Sequence, residues 1–181
     1  MDEAELIERV LAGDMSAARR LYDAYVGGVH RLALRMTAQD ELAQDATQET
    51  FVRVFRSLHR FRREATLATW IHQIAVSVTL NAIRGRKRWN AHRAELEDAD
   101  QVVLPSRDAE PDLRDRLYAA IDALPAVYRA VFVLHEIEGN NHEEISALLR
   151  IPTGTSRYRL SEARLRLRRA LRDFEGEWAS A

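Results

Sequence analysis

Apolar residues recur along most of the chain at helical intervals, and strand-like alternation is absent. Asp2 to Ala12 reads as a short helix stopped by Gly13. Ser16 to about Thr37 reads as two helical stretches meeting at Gly27-Gly28. A longer helix is predicted from Asp40 to about Arg60, with Phe51, Val54, Phe55 and Leu58 on one buried face. The run "RFRREAT" breaks the period. Thr66 is then placed to cap a helix from Leu67 to about Arg88. That helix carries two stripes: Leu67, Ile71, Ile74 and Val78 are apolar, whereas Ser77, Asn81, Arg84 and Arg88 are polar and increasingly basic.

Ala94 to Asp112 sustains no period, is rich in acids and holds Pro105 and Pro111, so it reads as a flexible linker. Periodicity resumes with Leu113, Leu117, Ile121 and Leu124 on one side of a helix. Pro125 suits the first turn of the next helix, where Val127, Val131 and Leu134 repeat and Gly139 is a natural stop. Asn141 with Glu144 makes a capping-box start for a short helix from Glu143 to about Leu149. Ile151-Pro152 turns the chain. The last helix is predicted from about Gly154 to Phe174, with Leu160, Ala163, Leu167, Leu171 and Phe174 facing inward. The expected fold is all-α: two small helical domains, residues 1–92 and 113–181, joined by a linker at 93–112.

The chain has 181 residues, is 46% hydrophobic and lacks cysteine, which excludes disulfides and thiol chemistry. No run of about 18 apolar residues is present to enter a membrane. The acidic start "MDEAELIERVLAG" is unlike a secretory signal, and a cytoplasmic setting fits. The formal net charge of -1 conceals segregation. Ten Lys/Arg face one acid between Arg53 and Arg93, and seven face one between Arg157 and Arg172. Eight acids face two arginines between Ala94 and Asp115. A polyanion would meet patches, not the average.

A short capped helix, a tight turn and a longer helix with a basic outer face form a helix-turn-helix, whose second helix enters the DNA major groove. Arg157, Tyr158, Ser161, Glu162 and Arg164 lie on or near the face away from Leu160 and Leu167. Guanidinium groups there can meet phosphates and base edges. Upstream, Trp70 follows the basic loop Arg60-Phe61-Arg62-Arg63. Aromatics beside arginine suit unstacked bases. By composition alone, a core tryptophan is the better reading. Enzyme readings find little support. Asp45 and Glu49 share a helix face, but no second carboxylate pair or histidine stands at metal-ligand spacing, and no phosphate loop or nucleophile elbow is present.

The stretch "DATQETFVRVFRSLHRFRREATLATWIHQIA" resembles region 2 of bacterial sigma factors of the extracytoplasmic-function (ECF) type. "LPAVYRAVFVLHEIEGNNHEEISALLRIPTGTSRYRLSEAR" resembles their region 4. The resemblance implies a specificity subunit that binds core RNA polymerase, directs it to promoter DNA and assists melting, with no cofactor and no enzymatic step of its own. It implies that Asp45, Gln48, Glu49, Phe51, Val52, Arg53 and Arg56 dock on the clamp helices of the largest polymerase subunit, with the flap as a further contact. Arg62, Arg63, Trp70, Ser77, Asn81, Arg84 and Arg88 are implied to capture the −10 element. Thr155, Ser156, Arg157, Tyr158, Arg159, Ser161, Glu162 and Arg164 are implied to read the −35 element. An anti-sigma factor is an implied partner. The chain departs from the family pattern in several places: Ser77 stands where Asn is usual, Arg150 where a turn glycine is common, Tyr158 for a small residue and Glu162 where a base is frequent. A carboxylate at 162 is expected to shift −35 preference, because it accepts a hydrogen bond from cytosine and repels phosphate. The competing readings are a helix-turn-helix regulator that binds duplex DNA without polymerase, a helical adaptor for other proteins, and an anti-sigma-like mimic that keeps the fold but has lost DNA binding, against which the retained arginines speak.

Overall fold

A computed structural model describes residues 2–94 and 113–171. The predicted linker from residue 95 onward and the inward position of Phe174 lie outside the described residues. Among the described residues the structure is helical without strands. The chain divides into two compact units, Met1–Gly85 and Arg86–Ala181.

The first unit begins with α1 (Glu3–Leu11), capped by Asp2, whose carboxylate accepts from the Glu5 N–H at 2.7 Å. Asp14 then caps α2 (Met15–Thr37), accepting from the Ser16 N–H at 2.8 Å and the Ala17 N–H at 3.2 Å. The same carboxylate bonds the Ser16 hydroxyl and pairs with Arg9 at 2.6 Å. The Ser16 and Arg9 bonds hold its carboxyl well below the usual carboxylate range. The expected break at Gly27-Gly28 does not occur: α2 runs straight through both glycines. Glycine costs a helix interior only about 1 kcal/mol against alanine. Burial of Leu21, Val29, Leu32, Ala33 and Met36 outweighs that.

Helix α3 (Asp40–Ser57) lies on α2, and α4 (Leu67–Ala94) follows a 3₁₀ turn at Leu58–Arg60. Ala33, Ala43 and Ala46 pack with Val78 in one buried cluster, so small side chains let these helices approach closely. Four buried threonines, Thr37, Thr47, Thr50 and Thr79, donate their hydroxyls to carbonyls four residues back, at 2.6–2.8 Å. The predicted face of Phe51, Val54 and Leu58 is buried, but Phe55 is 36% exposed. Thr66 caps α4 as expected, accepting from the Thr69 N–H at 3.2 Å. The helix continues past Arg88 to Ala94.

The second unit takes in the end of α4 from Arg86 and contains α5 (Leu113–Asp122), α6 (Ala126–Phe132), α7 (His142–Leu149) and α8 (Thr153–Ala170). Ile121 and Leu124 pack with Ala163 and Leu167, with Tyr128 and Phe132 against them. Leu117 and Val127, expected inside, are 38% and 39% exposed. Helix α6 passes into a π-helical turn at Val133–Ile137, which adds a residue to the turn and brings Val133 inside beside Val131 and Leu134. Gly139, at φ 72°, ends this segment. Arg129 is buried, and its guanidinium donates to the carbonyls of Asp122 and Leu124, which the end of α5 leaves without helical partners.

Candidate nucleic-acid and protein interfaces

Helix α3 separates two stripes. Ala43, Ala46, Thr47, Thr50, Phe51 and Val54 are buried. Asp45, Gln48, Glu49, Val52, Arg53 and Arg56 are exposed at the complementary helical positions. Phe51 differs from its expected role. It is 3% exposed, packed against Tyr22 with ring centroids 4.6 Å apart and the rings tilted, and therefore supports the exposed stripe from beneath. Phe55, beside Val52, is the half-exposed aromatic that sequence reasoning had placed inside. Glu49 accepts from the Arg53 Nε at 2.6 Å, so two of the stripe's charges are tied to each other.

The loop before α4 has an unusual backbone: Arg63 stands at φ 59°, a left-handed conformation that costs a non-glycine residue about 1 kcal/mol. Arg62 and Arg63 are exposed. Arg63 approaches Glu8 of α1 at 3.8 Å, and Glu3 accepts from the Leu67 N–H at 3.4 Å. Trp70 is half-buried and packs against Phe61 with the rings tilted, centroids 5.3 Å apart. Ser77, Asn81 and Arg84 share an exposed face of α4. The side chain of Arg88 lies outside the described residues. Between α3 and α4 runs an open cleft of about 610 Å³, lined by Arg53, Arg56, Arg60, Trp70, Gln73 and Ser77 among others. Gln73 was missed from sequence, although its spacing from Trp70 and Ser77 puts it on their face.

In the second unit the capping box is complete. The Asn141 side chain accepts from the Glu144 N–H at 2.9 Å, and Glu144 accepts from the Asn141 N–H at 2.8 Å. Arg150 closes α7 at φ 53°, ψ 51°, which explains physically why glycine is favoured there. Helix α8 buries Leu160, Ala163 and Leu167. Its outer side presents Arg157, Tyr158, Ser161 and Arg164, with Thr155, Arg159 and Glu162 half-exposed. Ser156, expected at a DNA surface, is instead fully buried, with its hydroxyl 2.9 Å from His142 Nδ1. It joins α8 to α7 and positions the outer face. Arg157 pairs with Glu143 at 3.7 Å, Arg164 Nε donates to Glu136 at 3.0 Å, and Glu162 pairs with Arg166 at 3.7 Å. Arg166 also lies 4.8 Å over the Tyr128 ring.

These features define a helical protein of two units, the second ending in an arginine-faced helix-turn-helix. No helix of the described residues is long and apolar enough to cross a membrane. Residues 21–89 match the family Sigma-70 region 2, and residues 114–167 match Sigma-70, region 4. The chain is 39% identical over 160 residues to the ECF RNA polymerase sigma factor SigE of Mycolicibacterium smegmatis, spanning 84% of this chain and 61% of that protein. It is 32% identical to the RNA polymerase sigma-H factor of Pseudomonas aeruginosa over 93% of each chain. Identity to the ECF sigma factor SigW of Bacillus subtilis is 30%, over 93% of this chain and 96% of that one. The fold is similar to that of sigma factor RpoE, solved with the anti-sigma factor NepR from Bartonella quintana. That likeness has a TM-score of 0.62 and 21% identity over 85% of this chain and 96% of that one. CnrH, solved with the cytosolic domain of CnrY, gives a TM-score of 0.56 and 21% identity over 93% of this chain and 96% of that one. The chain belongs to the ECF sigma factors of RNA polymerase. As such it acts with core RNA polymerase in promoter-directed transcription initiation.

Proposed function

We propose that the work of this sigma factor is divided among three faces. The exposed stripe Asp45, Gln48, Glu49, Val52, Arg53 and Arg56 docks on core polymerase, with Phe51 supporting it. The loop at Arg62 and Arg63, with Trp70, Ser77, Asn81, Arg84 and Arg88, takes the non-template strand of the −10 element. The outer face of α8 reads the −35 element through Thr155, Arg157, Tyr158, Arg159, Ser161, Glu162 and Arg164. The observation that carries this reading is that the exposed acid-and-base stripe on α3 adjoins, through Glu49, Arg53 and Arg56, a cleft lined further by Arg60, Trp70 and Ser77, while α8 of the second unit carries an arginine face of its own. Extruding a base from the stack costs a few kcal/mol. Stacking on an aromatic ring and phosphate contacts from arginines offset that cost. No bond is broken, so the chain acts as a specificity factor and not as an enzyme. It works in the cytoplasm, where an anti-sigma factor holds it inactive, as partners of that kind accompany its structural relatives.

In vitro transcription tests this. The protein is added to sigma-free core polymerase with a library of promoter fragments. Protein-dependent transcripts sharing two spaced upstream elements are the expected result. Duplex binding without any core-dependent transcript would instead favour a regulator that acts without polymerase.

A further inference from the structure

The outer face of α8 is unequally committed. Arg157, Glu162 and Arg164 each have an ionic partner within the unit: Glu143, Arg166 and Glu136 respectively. Tyr158 stands between them and has no hydrogen-bond, ring or cation partner among the described residues. It is 60% exposed, although buried Ser156 and Leu160 stand two residues before and after it on the same helix. The ring therefore contributes nothing to the core. On a solvated helix, tyrosine is a poorer choice than alanine. What the position offers is a large apolar disc framed by ion-paired side chains, at the sixth residue of α8, counting Thr153 as the first. In a helix-turn-helix the N-terminal part of the second helix meets base edges. The major groove offers one apolar group to such a ring, the C5-methyl of thymine.

We propose that Tyr158 reads a thymine methyl group in the −35 duplex, the paired arginines on either side engaging phosphates. This rests on the reading of α8 as the −35 helix. The test uses holoenzyme assembled from the full chain and a promoter fragment recovered by the transcription experiment. Each thymine of its −35 element, on either strand, is replaced in turn by deoxyuridine, which removes the methyl group alone. At one position wild-type binding is expected to weaken about fourfold, the value of one buried methyl group. Tyr158→Phe keeps that sensitivity. Tyr158→Ser binds the thymine duplex about fourfold more weakly and no longer distinguishes thymine from uracil. The proposal is overturned if the wild type ignores every replacement, if the −35 element contains no thymine, or if Tyr158→Ser still discriminates. A uniform loss with Tyr158→Phe would also overturn it, by assigning the phenol hydroxyl to a phosphate. Because the side chain is exposed, neither substitution disturbs packing, and unchanged helical circular dichroism checks this. Absence of any transcript would overturn the promoter reading itself, whereas transcripts without methyl dependence would remove only the role of Tyr158.

Discussion

Arg150 shows how one residue can carry a cost that its contacts do not reveal. It closes α7 in the left-handed region, at φ 53°, where a Cβ crowds the backbone. Its N–H donates to the Ser146 carbonyl, so the conformation itself is needed to end the helix. Glycine adopts that conformation without the steric penalty, at the expense of a more flexible unfolded chain. Arg150→Gly is therefore expected to stabilise the second unit by about 0.5–1 kcal/mol. An unchanged or lowered midpoint in urea denaturation would show that the arginine makes a compensating interaction. The position was legible in the sequence as a departure from a turn glycine. The burial of Arg129 was not, because an arginine between Tyr128 and Ala130 looks like any outward helical residue. Only the fold shows that the carbonyls ending α5 converge on it.

Among the elements, helical periodicity located every helix of the described residues but misjudged some of their detail for identifiable reasons. The Gly27-Gly28 pair was read as a break, yet tertiary burial along α2 overrides local propensity. Nothing lies within 4 Å of a Cβ built at Gly28, so Gly28→Ala is expected to stabilise the first unit by about 1 kcal/mol, measured by thermal unfolding. The π-helical turn after α6 was also invisible, since the inserted residue shifts the period of the positions from Val133 onward and brings Val133 inside beside Leu134. The outer face of α8 was legible except at Ser156, whose burial depends on His142 across the turn. That histidine gives the helix-turn-helix a pH dependence. Burial, the His135 ring 4.8 Å away, and Arg157 and Arg164 hold His142 below its ordinary value, while Glu143 opposes them. The folded chain then binds fewer protons than the unfolded chain. Stability from this site is full above the unfolded pKa of about 6.5 and is lost as pH falls through it toward the lower folded value. His142→Gln is expected to flatten the dependence of unfolding midpoint on pH as pH falls below about 6.5. An identical slope would place the titration elsewhere.

At the scale of the whole molecule, the near-zero net charge is the sum of surfaces with separate tasks. The stripe on α3 carries acids and bases in equal number, Asp45 and Glu49 beside Arg53 and Arg56, whereas Glu162 is the single acid among the proposed contacts on α8. A mixed stripe suits a protein partner better than DNA, since carboxylates repel phosphate. All four side chains are exposed, so reversing the acids leaves the buried stripe of Ala43, Ala46, Thr50 and Phe51 intact. Asp45→Lys with Glu49→Lys is expected to lower affinity for core polymerase by about two orders of magnitude or more. That follows if one closely paired interfacial charge, worth 2–5 kcal/mol when truncated, is lost. The measurement is competition with labelled wild-type chain for core, alongside thermal unfolding to confirm that the double variant remains folded. The substitutions also release Arg53 from its 2.6 Å bond to Glu49 and make this face more basic. Non-specific binding to DNA should therefore rise while core binding falls. The two effects have opposite signs, which separates loss of a docking surface from general damage. Equal competition by the variant would remove the α3 stripe from the polymerase interface, and a parallel fall in both activities would trace the defect to folding.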